Sequence, residues 1–125
     1  MTFIVDRDTR VLIQGVTGQL GKVVIDMMAS ANLAPVAGVA PGRGGRVVEG
    51  VPVFDTVGEA VDATGANASL VLVPASGLRD AVLESIEEGI GTIALMVDGV
   101  PVGLSLELID KAREAGVTLI GPNSP

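Results

Sequence analysis

The sequence predicts an α/β protein built on an open, doubly wound parallel sheet of about five main strands. Three observations carry that reading. Short apolar runs alternate along the chain with stretches whose apolar residues recur at helical spacing. The runs are apolar on both faces, as in strands covered by helices on each side. Most switches between the two patterns carry a Gly, a Pro or a capping residue. The chain has 125 residues, 48% of them hydrophobic, with two aromatics, both Phe. One domain over residues 1–125, with a core of Val, Ile, Leu and Ala, is the expectation.

The elements follow in order. Val11-Leu12-Ile13 is a short β-branched run that stops at Gly15. From Leu20 to Ala31, Leu20, Val23, Val24, Met27 and Met28 fall at helical spacing. Pro35–Ala40 is a second strand, and residues 42–50 form a glycine-rich loop holding two arginines. Val51–Phe54 is extended and brief. Thr56 and Glu59 make a capping box that opens a helix reaching about Ala63. Ala68–Val73 is a third main strand, stopped by Pro74. Ser76 is placed to cap a helix running to about Glu88, ended by Gly89. Thr92–Val97 is the fourth strand, Leu104–Ala115 a helix ended by Gly116, and Val117–Ile120 the fifth. The alternation is Rossmann-like, and right-handed crossovers make the sheet doubly wound. No internal repeat, linker or low-complexity segment is visible.

Composition removes several chemistries. There is no Cys and no His, which excludes thiolate metal sites, cysteine and Ser-His-Asp nucleophiles, and His-ligated zinc. A net charge of −7 disfavours nucleic acid and anionic membrane surfaces as partners. The N-terminus carries charges within its first ten residues and no long apolar run, and no stretch approaches a membrane span. A soluble, cytoplasmic protein is expected. The charge is uneven. Residues 1–46 hold five bases against three acids, whereas the remainder holds three bases against twelve acids. An anionic ligand is therefore to be sought in the first third.

The strand ends carry the candidate chemistry. Gly15-Val16-Thr17-Gly18-Gln19-Leu20-Gly21 follows the first strand and opens the first helix. Glycines there admit a phosphate close to the backbone, and the helix start supplies N–H donors with a favourable dipole. The same spacing also serves a tight turn with no ligand. An NAD site usually places an acid at the end of the second strand. Here that strand ends Val39-Ala40-Pro41, followed by Gly42-Arg43-Gly44-Gly45-Arg46. An arginine in this place suits a phosphate on the ribose, as in NADP or coenzyme A. The bland alternative is two solvated loop charges. Val73-Pro74, Val97-Asp98-Gly99 and Gly121-Pro122-Asn123-Ser124 end the later strands, where ligands of open α/β sheets bind.

Together, Val11–Gly18, Ala40–Gly45, Gly50–Phe54, Val73–Ala75, Asp98–Pro101 and Gly121–Pro125 resemble the succinate–CoA ligase α-subunit family, in its N-terminal CoA-binding domain. The similarity runs the whole chain in order. It implies that Thr17, Gly18, Gln19 and Leu20, flanked by Gly15 and Gly21, surround the phosphates of coenzyme A. It implies that Pro41 and Arg43 meet its nucleotide, that Val73 and Pro74 line its path, and that Val97, Asp98 and Gly99 lie near the pantetheine. Asn123 and Ser124 would then sit near the thiol. The complete enzyme makes succinyl-CoA from succinate, CoA and a nucleoside triphosphate through a phosphohistidine. A chain without His would need a phosphohistidine-bearing chain and a nucleotide-binding β subunit to do so. The sequence departs from the family at Leu20, at Arg43 for Lys, at Asp98 for Glu and at Ser124 for Cys. The rival readings are an NADP-binding domain of a reductase, a CoA or acyl-CoA binding module without catalysis, and an assembly module without a ligand.

Overall fold

A computed structural model describes residues 7–15, 19–97 and 99–121, with only the backbone of Gln19. Strand β1 (Val11–Gln14) leads to helix α1 (Gln19–Ser30) and strand β2 (Ala37–Val39). The strands β3 (Val47–Val48) and β4 (Val51–Phe54) follow, then helix α2 (Val57–Thr64) and strand β5 (Ala68–Val71). Helix α3 (Ala75–Glu87), strand β6 (Thr92–Leu95), helix α4 (Val102–Ala115) and strand β7 (Thr118–Ile120) complete the order.

The seven strands form one sheet in the order β3-β4-β2-β1-β5-β6-β7. Six are parallel, and only β3 runs antiparallel, in a hairpin with β4. Leaving β3 aside, the sheet reads third-second-first-fourth-fifth-sixth in chain order, the Rossmann arrangement. The order reverses between β1 and β5, so their carboxyl ends splay apart and leave a crevice.

The expected fold class is thus present, with corrections at element level. The glycine-rich loop contains the short strand β3, because Gly50 and Glu49, both with positive φ, turn the chain back so that Val48 pairs with Val51. Ser76 does not cap α3. The helix begins two residues earlier than that cap implies, with Pro74 as N-cap and no side-chain cap bond. The fixed φ of Pro74, −58°, already leads into the helix. α4 begins at Val102 behind Pro101 in the same way, two residues before Leu104. The capping box is real: Thr56 Oγ1 accepts the Glu59 N–H at 3.1 Å.

Strand alternation divides the core between the two faces of the sheet. On one face, Leu12, Val71, Ile93 and Leu95 pack against Val57 and Ala60 of α2, Leu78 and Val82 of α3, and Leu108 of α4. On the other, Ile13, Val51 and Val53 pack against Val24 and Ile25 of α1. Among the described residues, no helix is long and apolar enough to cross a membrane.

Candidate functional site

The crevice is closed at its base by glycine geometry. Gly15 ends β1 with φ +92°, and its N–H donates to the Val39 carbonyl at 2.9 Å. A Cβ at Gly15 would lie 3.2 Å from the backbone at Leu72 and Val73. A side chain there would crowd the end of β5 and take up a strained positive φ, so glycine suits the junction.

Above this junction opens a cavity of about 400 Å³, within the range of small-molecule sites. Gly15, Pro41, Arg43 and Val73, all anticipated from sequence, line it together. They come from the ends of β1 and β2 and the residues just beyond β5. Gly77, Asp80, Ala81 and Glu84 of α3 supply the opposite wall, with Gln14 at the floor. The sequence reading missed this wall because it attended to loops. The signal was a spacing of three, four and seven residues, which places all four on one helix face. Glu84 also has a structural duty: its Oε2 accepts the Val57 N–H at 2.8 Å, at the start of α2.

Gln14 is buried, and its carboxamide is fully engaged. Its Nε2 donates to the Ala81 carbonyl at 3.0 Å. Its Oε1 accepts from Ser69 Oγ at 2.5 Å and Ser85 Oγ at 2.7 Å. No buried side-chain polar atom among the described residues lacks a partner. β1, β5 and α3 are tied by one side chain directly beneath the cavity.

The loop that carries Arg43 is held from below. The Arg43 N–H donates to Ala40 and that of Gly45 to Val53. The Gly44 N–H donates to Asp55 Oδ1 at 2.9 Å, and a Cβ at Gly44 would meet Asp55 Oδ2 at 2.7 Å. The arginines stand exposed on this fixed loop. Arg43 also borders a second hollow of about 370 Å³, shared with Lys22, Arg46 and Glu49. Three cations against one carboxylate make this rim attractive to a phosphate.

The other expected residues among those described do not line that cavity. Leu20 is exposed and Gly21 buried in the first turn of α1. Pro74 is exposed at the head of α3, Val97 packs against the larger core cluster, and Gly99 is exposed past β6. Thr17, Gly18, Asp98, Asn123 and Ser124, and the side chain of Gln19, lie outside the described residues. A polyanion with an apolar arm fits what is present: a cationic rim, a glycine cradle and walls of Val39, Ala40, Val73 and Ala81.

Known proteins agree with that fit. Residues 6–99 match the family described as CoA binding domain. The chain is 47% identical over its full length to the succinate–CoA ligase [ADP-forming] subunit alpha 2 of Archaeoglobus fulgidus, covering 44% of that protein. It is 41% identical to the corresponding alpha subunit of Aquifex aeolicus, again over the full chain and covering 42% of the relative. It spans less than half the length of these relatives. ATP citrate lyase from Methanothrix soehngenii, solved in complex with citrate and coenzyme A, matches 96% of this chain and 21% of its own. The TM-score is 0.78 at 20% identity, a likeness of fold.

Proposed function

The chain belongs to the CoA-binding domain family, and from that premise we propose that it binds coenzyme A in the crevice between the ends of β1 and β5. In this reading residues 1–125 act as one CoA-binding unit in a cytoplasmic setting. Gly15, Thr17, Gly18, Gln19, Leu20 and Gly21 surround the phosphates, where the start of α1 offers donors and the positive end of its dipole. Pro41 shapes the entrance, and Arg43 meets the 3′-phosphate of the ribose. Val73 and Pro74 guide the chain of the ligand toward Val97, Asp98 and Gly99. Asn123 and Ser124 stand near the thiol.

The observation that supports this most directly is the joint placement of Gly15 and Arg43 on one cavity. The glycine junction admits a pyrophosphate closely, and Arg43 offers a second, separate phosphate contact.

The chain contains no His, so it supplies no phosphohistidine itself. We propose that it serves an acid–thiol ligase of the succinate–CoA ligase type, in which coenzyme A is a substrate held here. Its partners would be a phosphohistidine-bearing unit and a nucleotide-binding β subunit. The chain's own contribution is to bind and orient the thiol of coenzyme A.

Calorimetric titration of the chain with coenzyme A, NADP and NAD tests this. Saturable binding of coenzyme A alone is expected. Binding of NADP alone would overturn the reading and favour a reductase domain, which the same Gly loop and Arg43 would also serve. Arg43→Ala should weaken coenzyme A about tenfold, as for loss of a charge-assisted contact, and 3′-dephospho-CoA much less. Equal losses would remove Arg43 from the 3′-phosphate.

A further inference from the structure

The described residues cover the face of the sheet that carries α1 only in part. The packing of Val24 and Ile25 against Ile13, Ala40, Val51 and Val53 sets α1 over β1, β2 and β4. Farther along the same face lie Leu70 of β5 and Leu72 just beyond it, both half-buried against the α1 cluster, then buried Ala94 of β6, half-buried Ile120 of β7, and Met96 just beyond β6. Alternation places them there, because Val71, Ile93, Leu95 and Leu119 turn into the opposite cluster. The helices that contact β5 and β7, α3 and α4, also lie on that opposite side. Parallel sheets are ordinarily covered on both faces, yet Met96 is 50% exposed.

α1 forms a wall beside this floor. Lys22 shares a hollow with Val47 and Val48, so its flank of the helix faces β3. Leu20, Val23 and Met27 follow one another at three- and four-residue spacing. At about 100° per residue Leu20 and Met27 fall on the other flank, toward β5, with Val23 turned farther toward solvent. Leu20, Val23 and Met27 are 50%, 49% and 66% exposed. Wall and floor together form an apolar trough without a charged side chain among these eight residues.

We propose that this trough seats an amphipathic helix supplied by the part of the family subunit outside the matched stretch. The relatives match all 125 residues of this chain, yet those make up only 44% and 42% of their lengths. The matched stretch is their N-terminal part, so in those subunits the polypeptide continues from the end of β7, the strand at the outer rim of the trough. An uncharged trough selects an occupant with an apolar face, as in helix-in-groove recognition. The docking rests on family membership and not on cofactor binding, and its test needs no coenzyme A.

The test uses two proteins: the 125-residue chain, and a chimera in which it is joined to the remaining part of the Archaeoglobus fulgidus subunit. Methionine methyls are labelled with carbon-13, and a dissolved paramagnetic chelate reports their accessibility by NMR. Signals are identified with Met27→Leu and Met96→Leu. Met27 and Met96 should lose accessibility several-fold in the chimera, while half-buried Met28 changes little. Unchanged accessibility would overturn the proposal. So would shielding already present in the chain alone and lost on dilution, which would make the occupant a second copy. Met96→Lys should lower the unfolding midpoint of the chimera by at least about 3 °C and leave that of the chain alone unchanged. Equal shifts in both, or a chimera that does not unfold cooperatively, would also overturn it.

Discussion

The two faces of the sheet share the same strands and differ in what lies on them. Three helices close one face, and their side chains, from Val57 to Leu108, form a continuous buried cluster with Leu12, Val71 and Ile93. Among the described residues the other face has α1 alone, with a smaller cluster around Ile13 and Val24. The asymmetry follows from connectivity. The passage from β2 to β4 is made by a glycine-rich loop and a hairpin where a second helix on the α1 side would ordinarily stand. Stability is therefore concentrated on the α2–α4 face, and the α1 face retains surface for other contacts.

The comparison can be broken first on the closed face. Leu78 is fully buried there, and Leu78→Ala should cost about 2–5 kcal/mol in urea unfolding. A loss below 1 kcal/mol would show that the α2–α4 cluster does not dominate stability. Next is the joint between the faces. Gln14→Leu removes the acceptor of the buried Ser69 and Ser85 hydroxyls and should cost about 1–3 kcal/mol for unmet buried groups. The triple change with Ser69→Ala and Ser85→Ala should recover part of that loss in the same assay. No recovery would mean that packing, not hydrogen bonding, sets the cost. Smallest of all is Val23→Ala on the open face, expected to shift stability within about 0.5 kcal/mol. A loss comparable to that of Leu78→Ala would mean that the chain itself covers the trough.

Much of this was legible in the residues. The Gly15 junction, the Thr56–Glu59 box and the stop at Gly116 depend on local backbone chemistry, and Gly116 adopts the left-handed cap. The position of Arg43 beside the cavity was legible because glycines on both sides force a loop after a buried strand. β3 was not: two valines between glycine-rich turns carry no periodicity, and only pairing with Val51 and Pro52 makes them a strand. Ser76 failed as a cap because proline had already set the entry into α3. The α3 wall of the cavity was hidden because its residues look like an ordinary amphipathic helix. Only the crossover that brings α3 over the end of β1 turns Asp80 and Ala81 toward the crevice.

Gln14 has a consequence for how such a chain diverges over generations. One carboxamide serves two hydroxyls and one carbonyl, so none of Gln14, Ser69 and Ser85 is free to drift alone. A lineage that replaces Gln14 must pass through a form with two unmet hydroxyls beneath the cavity, and one that replaces a serine through a form that has lost one of the carboxamide's bonds. These three positions should be inherited as a block, while the exposed arginines of the loop after β2 remain open to retuning.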